Sequence, residues 1–220
     1  MNSTKEQSGT FKKFRKEWIE PVIFALILAV IIRTFIIQPF KIPSGSMEDT
    51  LLVGDQLMAI KFLYGIKIPF TDKRILKIRD PDPGDIIVFK FPDDPSKDFI
   101  KRCIATGGQR VEIKNKVVYV DGVEQKLPEH AKFLDDFILS NNLPLRENLH
   151  RRDNIPEFIV PDDMFFMMGD SRDNSSDSRF WGFVPYKDII GKAFIIYWSW
   201  DENSSLLKHV RWNRNFSLIK

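Results

Sequence analysis

The stretch Phe99-Ile100-Lys101-Arg102-Cys103-Ile104-Ala105 is central to the fold of this chain. Side chains alternate between the two faces of a β-strand, so residues 99, 101 and 103 would share one face and residues 100, 102 and 104 the other. Alternation alone favours a solvated Lys101, because exposed lysine is the rule and edge strands commonly carry it. The alternative is a lysine held between Phe99 and Cys103 on a dry face.

Short runs with the same period of two recur after residue 38, and Gly, Pro, Asp and Asn bound them. No segment in this part of the sequence has a long helical pattern. We therefore predict an all-β domain of antiparallel sheets, with short helices at most. The predicted strands are 56–63, 85–91, 99–105, 110–113, 116–120, 164–168 and 191–198.

Three segments interrupt this pattern. Residues 66–84 and 91–98 are rich in Pro, Asp and Lys, and residues 125–161 are polar and punctuated by proline. Such composition is typical of loops or a small accessory lobe. We expect these segments to be insertions in a domain that comprises residues 38–220.

The composition limits the classes of function. Among 220 residues, 33 are Lys or Arg and 30 are Asp or Glu, which gives a formal net charge of +3. A charge this small and dispersed argues against a nucleic-acid partner. Cys103 is the single cysteine in the sequence, so no intrachain disulfide can form.

An apolar run near the N-terminus predicts a membrane span. Every residue from 22 to 32 is apolar, and residues 18–37 together number twenty. At a rise of about 1.5 Å per residue, twenty helical residues cover about 30 Å, the thickness of a hydrocarbon core. Arg33 would lie near one end, where its guanidinium can reach the head groups.

The residues before this span predict its orientation. Basic side chains collect on the cytoplasmic side of membrane helices, which makes residues 1–17 a cytoplasmic segment and places the domain outside. The basic residues are Lys5, Lys12, Lys13, Arg15 and Lys16. A cleaved secretory signal has the same general form, but Gln38-Pro39-Phe40-Lys41 is bulky and charged where a cleavage site needs small residues. We therefore favour an uncleaved anchor.

The stretch Pro43-Ser44-Gly45-Ser46-Met47 contains a candidate nucleophile. Ser46 follows Ile37 by nine residues, so its hydroxyl would lie near the bilayer surface. An ordinary turn after the membrane exit is the alternative interpretation. In the catalytic interpretation, Gly45 lets a substrate carbonyl approach closely, and the Ser44 hydroxyl and Ser46 amide can hold an oxyanion.

A serine nucleophile needs a base, and histidine is the commonest. The three histidines, His130, His150 and His209, all fall in the polar insertion or the C-terminal tail. Distance in sequence does not exclude a histidine triad, although the nucleophile-elbow pattern fails at positions 44 and 48. A lysine can serve instead if burial favours its neutral amine. Our central hypothesis is the pair Ser46 and Lys101.

A third stretch, residues 169–182, is dense in Asp, Ser and Arg. We tested it as a calcium loop: Asp173, Ser175 and Asp177 fit the first three ligand positions, but Ser178 stands where glycine is needed and the final glutamate is missing. We expect no metal. A buried polar brace that positions a charged group is one interpretation, and a solvated loop is the other.

Taken together, these stretches resemble the bacterial type I signal peptidases, membrane-anchored serine proteases of the S26 type. The anchor and five boxes occur in the family's order, a specific pattern that overturns the interpretation of Lys101 as solvated. The matching residues are the anchor through Gln38-Pro39-Phe40, then Pro43 to Met47 with Thr50-Leu51-Leu52 and Gly54-Asp55, Gly84 to Phe89, Ile100-Lys101-Arg102, and Gly169-Asp170 to Pro185.

The resemblance implies a role for each site residue. Ser46 would attack the scissile carbonyl with Lys101 as general base, and the Ser44 hydroxyl and Ser46 amide would be the oxyanion donors. Ser175 would orient the lysine, with Asp177 and Arg179 as a structural brace. Small side chains, typically alanine, would precede the cut at the first and third positions. The candidates for the wall of the pocket that accepts them are Met47 and Ile100.

The resemblance also implies the setting. The partners would be signal peptides of exported precursors and membrane lipid, the protein would be a monomer without a cofactor, and the location would be the bacterial inner membrane. The sequence departs from two-anchor members in having one span, and it lacks a cysteine pair in the inserted region. The alternative functions are a membrane-tethered β-sheet binding or structural protein and a Ser/Lys protease with one dedicated substrate.

Overall fold

The computed structural model describes residues 15–68, 71, 73–139, 152–202, 204 and 209–219. A π-helical turn, Arg15–Ile19, leads into helix α1, Glu20–Phe35. Pro21 lies in the first turn of α1, where a backbone amide has no partner to lose. The helix has no buried residue, and Lys16–Phe35 forms a helical stretch of 20 residues that is long and apolar enough to cross a membrane.

The end of the helix differs from the predicted span of residues 18–37. Helix α1 ends at Phe35, and Ile37 opens strand β1, Ile37–Lys41. Ile37 pairs with Ile60 in the sheet. The two last residues of the predicted span are apolar because they continue into the domain, so hydropathy alone places the boundary too late.

The chain after α1 is built of short strands, and the predicted all-β fold is confirmed. Helical structure in the described part of this domain is confined to α2, Ser178–Trp181, and to single 3₁₀ turns. The remaining strands are β2 Asp55–Ile60, β3 Ile66–Lys67, β4 Arg74–Ile75, β5 Ile86–Phe91, β6 Asp94–Thr106, β7 Arg110–Lys114, β8 Val117–Val120, β9 Val123–Glu124, β10 Ile155–Ile159, β11 Met164–Met168, β12 Val184–Pro185, β13 Ile189–Ser199 and β14 Ser217–Leu218.

The described strands form one large antiparallel sheet and two smaller ones. The large sheet has the order β1-β2-β13-β5-β6-β11-β12, and β14 pairs with β13. The second sheet has the order β10-β7-β8-β9, while β3 and β4 pair with each other. Strand β6 therefore lies between β5 and β11 in the interior of the large sheet, where a side chain can be sealed on both sides.

The two faces of the large sheet bury different apolar clusters. Ile86 and Val88 of β5 face one cluster, and Ile87 and Phe89 face the other, as strand alternation requires. Lys101 pairs with Ile87 across β5 and β6, so its side chain shares the second face with the Phe99 ring and Cys103. The dry-face alternative for Lys101 is the one that the fold adopts.

The three predicted insertions differ in the structure that they contain. Residues 91–98 join two strands: β5 ends at Phe91, β6 begins at Asp94, and these two residues pair. The register of this pair shifts between Lys90 and Phe91, and residues 95–98 are exposed. Residues 66–84 contain β3 and β4, and residues 125–161 contain β10. Within that last segment, residues 140–151 lie outside the described residues.

Candidate active site

Ser46 lies in a 3₁₀ turn, Gly45–Met47, between β1 and β2. The Met47 side chain is completely buried in the core and anchors the turn from below. From the other side, the Ser171 amide donates a hydrogen bond to the Ser46 carbonyl oxygen at 3.2 Å. The Ser46 hydroxyl is therefore held by fixed backbone at the edge of the domain.

The amine of Lys101 meets this hydroxyl. The distance from Lys101 Nζ to Ser46 Oγ is 2.7 Å, a hydrogen bond, and Lys101 is only 4% exposed. The Phe99 ring lies 5.4 Å from the amine. Burial lowers the pKa of Lys101 to about 8, against the opposing charges of Asp177 and Asp170. Near neutral pH the amine is thus far closer to its neutral, proton-accepting form than an exposed lysine would be.

The histidines lie elsewhere. His130 is exposed, and His209 stacks on Trp200 with its Nδ1 2.6 Å from the carbonyl oxygen of Asp201. His150 falls outside the described residues. Among the side chains that the structure describes, the ionisable group hydrogen-bonded to Ser46 Oγ is the amine of Lys101 and not a histidine.

Asp177 and Arg179 form a buried ion pair behind the lysine. The Asp177 carboxylate accepts hydrogen bonds from Arg179 Nε at 2.8 Å and from the Gly169 amide at 3.0 Å. Burial by itself would raise the pKa of Asp177, but the Arg179 guanidinium and the hydrogen bonds hold it below its ordinary value. Arg179 also donates to the carbonyl oxygens of Arg152 and Arg172, so the pair ties three segments of chain together.

A second buried pair was not assigned a role from the sequence. Arg102 donates to Asp170 through Nε and Nη2, both at 2.8 Å, and the Thr50 hydroxyl donates to the same carboxylate at 2.6 Å. Asp170 is completely buried. All three residues lie in stretches that match the family. The sequence feature that could have revealed the pair is a charged residue, Arg102, within an apolar strand. Alternation puts Arg102 on the face opposite Lys101. Alternation therefore gave no indication that Arg102 pairs with Asp170, a carboxylate whose charge acts on Lys101.

Gly169 fits the loop of residues 169–179 against the nucleophile. A Cβ atom at this position would overlap both the Ser175 side chain and the Ser46 carbonyl oxygen. Ser175 Oγ is buried and makes no hydrogen bond of normal geometry among the described residues, although it helps to lower the pKa of Asp177. The structure therefore brings Ser175 next to the nucleophile turn but does not hydrogen-bond it to Lys101.

The remaining predicted site residues surround the turn. Ser44 is exposed and has an extended backbone directly before the turn. The Ser46 amide lies in the first part of the turn, where amides have no partner within the turn itself. Ile100 is half-buried against the same core cluster as Met47. Because Met47 has no exposed surface, its side chain supports the turn from within the core and does not itself line an open pocket.

A serine hydroxyl in contact with a buried amine, on a β-domain behind an apolar helix, is the arrangement of a membrane-anchored serine hydrolase with an amine base. The family model described as "Signal peptidase, peptidase S26" matches residues 15–198. The chain belongs to the signal peptidase family, peptidase S26, and is a serine endopeptidase.

Individual relatives agree with the family. The chain is 37% identical to signal peptidase I of Pseudomonas fluorescens, over 83% of this chain and 71% of that protein. It is also 37% identical to signal peptidase I of Aquifex aeolicus, over 84% of each. A crystal structure of a signal peptidase I from Enterococcus faecalis V583 gives a TM-score of 0.37 at 27% identity, covering 52% of this chain and 97% of that one.

Substituting Gly169→Ala should disable the site while most of the fold persists. The added methyl group must push the Ser46 carbonyl away, and a shift of about 1 Å at a reacting group can cost about 10²-fold in rate. We expect at least that loss in peptide hydrolysis. Adding Ser175→Gly should not restore activity, because the overlap with the Ser46 backbone remains.

The matched control is Gly45→Ala, measured by thermal unfolding. A Cβ at Gly45 would meet Asn174 Nδ2 at 3.8 Å, an ordinary contact, so the unfolding temperature should change little. Gly169→Ala should lower it, since overpacking costs about 1–3 kcal/mol. Wild-type rate and unfolding temperature in Gly169→Ala would show that the loop is not seated as described.

The Arg102–Asp170 pair should matter for stability more than any surface pair. Arg102→Met leaves a buried carboxylate without its counter-charge, which typically costs about 3–5 kcal/mol. The double variant Arg102→Met/Asp170→Leu should lose less than the single variant, because no buried charge is stranded. Urea unfolding of both variants measures the difference. Lys114→Met, which removes an exposed ion pair with Glu112, is the control and should cost less than about 1 kcal/mol.

Proposed function

We propose that this protein is a signal peptidase I, which removes the N-terminal signal peptides of exported precursors by cutting after small residues in an Ala-X-Ala pattern. The contact of 2.7 Å between Ser46 Oγ and the buried Lys101 Nζ carries the proposal. The membership of the family and the names of the relatives support the substrate class.

The chemistry is an acyl transfer in two halves. The neutral Lys101 amine takes the proton of the Ser46 hydroxyl as Oγ attacks the scissile carbonyl carbon. The tetrahedral intermediate collapses to an ester on Ser46, and the ammonium gives its proton to the departing amine of the mature protein. A water molecule then attacks the ester with Lys101 as base, which releases the signal peptide and regenerates the hydroxyl.

The negative charge that develops on the carbonyl oxygen needs donors already in place. The Ser46 amide and the Ser44 hydroxyl fill this role in the proposal, one on each side of Gly45. The supporting observation is the 3₁₀ turn, which leaves its first amides without partners inside the turn. One such donor is typically worth about 2.7–4 kcal/mol of transition-state stabilisation.

The surrounding polar residues act on the lysine and not on the substrate. Ser175, whose buried hydroxyl lies beside the Ser46 carbonyl, orients the Lys101 amine as it swings between nucleophile and leaving group. Asp177 and Arg179 form the brace beneath it. Because each carboxylate near Lys101 is held by an arginine, the amine loses its proton more readily than it would beside an unpaired acid.

The substrate pocket is shallow in this proposal. Ile100 forms part of its wall, and Met47, buried in the core beneath it, limits its depth. A pocket whose depth is limited by a filled core position has no room for a large side chain, which fits a preference for alanine at the first and third positions before the cut.

The setting is a bacterial inner membrane crossed once by α1. Residues 1–17 lie in the cytoplasm and the domain from residue 38 lies outside, with lipid and the signal peptides of precursors as partners. The protein acts as a monomer and binds no nucleic acid or cofactor. The exposed apolar surface of α1, with no residue buried against the domain, supports its place in the bilayer.

Replacing either member of the dyad should abolish cleavage and leave the fold intact. We expect Ser46→Ala and Lys101→Ala to lower the rate by at least about 10³-fold, as in other nucleophile–base pairs. The measurement is processing of several unrelated Ala-X-Ala precursors by the detergent-purified chain. Leucine at the first position before the cut should block processing.

The controls match each substitution. Ser176→Ala removes an exposed hydroxyl from the same loop, and Lys114→Ala an exposed lysine from a strand. Both should process precursors at the wild-type rate. Undiminished processing by Ser46→Ala or Lys101→Ala would exclude the dyad, and processing of a single precursor only would indicate a protease with a dedicated substrate.

The pH dependence should follow the Lys101 amine. Its pKa of about 8 means that the neutral base becomes the major form above pH 8, so the rate should rise through that pH and then level off.

Lys101→Met should be inactive but more stable. An unfolded lysine titrates near 10.4 and binds more protons than the folded one, so burial costs up to about 3 kcal/mol below pH 8.

The stability difference gives an independent check of the same pKa. The difference in free energy of unfolding between Lys101→Met and the wild type should shrink as pH rises from 8 to 10. The reason is that the unfolded lysine also becomes neutral over this range, so folding no longer requires it to lose a proton. Urea unfolding of both proteins at pH 7 and pH 10 measures this. A difference that does not change with pH would mean that Lys101 keeps an ordinary pKa.

A further inference from the structure

A basic pocket lies where helix α1 meets the β-domain. It has a volume of about 270 Å³, and its lining shares no residue with the Ser46–Lys101 site. Thr34 and Phe35, at the end of α1, form one wall, and the other walls come from the domain. We call this cavity the helix-end pocket. Its position matters because the last turn of a spanning helix lies at the level of the lipid head groups.

The lining of the helix-end pocket is strongly cationic. It contains one acidic residue, Asp188, against five basic ones, which are Lys61, Lys67, Arg74, Lys90 and Lys187. Lys90 is neutralised by an ion pair with Asp98 at 2.6 Å. Among the other cations of the lining are Lys61, Arg74 and Lys187.

Two of these cations donate the hydrogen bonds recorded for them among the described residues to neutral groups, although the charge of Asp188 also acts on Arg74. All the hydrogen bonds that Arg74 donates go to backbone carbonyl oxygens, those of Gly65, Tyr186, Lys187 and Ile189. Arg74 Nε is buried without a partner in the described part of the chain. Lys61 donates to the Gln38 side-chain oxygen at 3.3 Å, and burial lowers its pKa. Half-buried cations held by neutral oxygens are a site prepared for an anion.

We propose that the helix-end pocket binds the phosphate of an anionic phospholipid head group. Phosphate is the anion that the bilayer presents at this depth, and clustered Lys and Arg beside a membrane helix attract anionic lipid. Phe35 and Ile190 give the pocket an apolar side on which the first part of a lipid can lie. The inference rests on α1 lying in a membrane, and it is independent of the dyad chemistry.

The test compares lipid binding by variants of the full chain purified in a neutral detergent. The probes are dioleoyl phosphatidylglycerol, dioleoyl phosphatidylcholine and, as the soluble source of phosphate, glycerol 1-phosphate; bound molecules are counted by native mass spectrometry. Lys61→Gln/Lys187→Gln should lose most of the preference for phosphatidylglycerol, by about fivefold per lysine. Lys61→Arg, which keeps the charge, should retain it.

The control is Lys114→Gln/Lys126→Gln, which removes the same charge from exposed positions outside the pocket. It should bind phosphatidylglycerol as the wild type does. If both double variants lost the preference for phosphatidylglycerol equally, the proposed pocket would be wrong and diffuse electrostatic attraction would explain the binding. If glycerol 1-phosphate bound as well and depended on Lys61 in the same way, the ligand would be a free phosphate and not a lipid. Lys61→Gln/Lys187→Gln should still cleave a soluble peptide in detergent. A failure of the lipid-binding proposal can therefore be told apart from a failure of the peptidase proposal.

Discussion

The exclusion of water from the Lys101 amine is the constraint on which the rest of the site depends. An exposed lysine is neutral about once in several thousand molecules at pH 7, and each unit of pKa depression gains about a factor of ten at a cost of about 1.4 kcal/mol. The fold meets that cost by placing β6 between β5 and β11, so that Lys101 lies on a buried face opposite Ile87 with its amine beside the Phe99 ring. A lysine on an edge strand could not be kept dry in this way.

Dryness alone would not suffice, because two carboxylates are buried near the amine. An unpaired Asp170 or Asp177 would favour the ammonium form and oppose the effect of burial. Arg102 and Arg179 each hold one of these acids in a two-point hydrogen bond. Because both acids are paired, the loop that contains them closes over the lysine without leaving an unpaired carboxylate beside its amine.

The sequence predicted those parts of the molecule whose pattern is local. Alternation located the interior strands and the shared face of Phe99, Lys101 and Cys103. It missed β1 and β10, which are the edge strands of their sheets and contain Pro39 and Pro156, residues that an edge tolerates and a pattern search rejects. The burial of Lys101 could not be predicted from alternation, because Asp170, Asp177 and Arg179, which lie near its amine, are about seventy residues away in sequence. The family resemblance supplied what periodicity could not.

The junction between helix and domain adds a constraint that neither the helix nor the site has alone. The Lys61 amide donates to the Ile36 carbonyl oxygen at 2.9 Å, and Ile37 already pairs in the sheet, so no flexible linker separates α1 from β1. Five strand residues, about 17 Å long at about 3.4 Å each, and three further residues then lead to the turn that holds Ser46. With the helix in a bilayer, these backbone hydrogen bonds would set the height of Ser46 above the membrane. A precursor whose own apolar segment lies in the membrane would therefore meet the Ser46 hydroxyl at a set distance from the bilayer. In the proposed function, that distance would help to select the bond that is cut, together with the side-chain pocket.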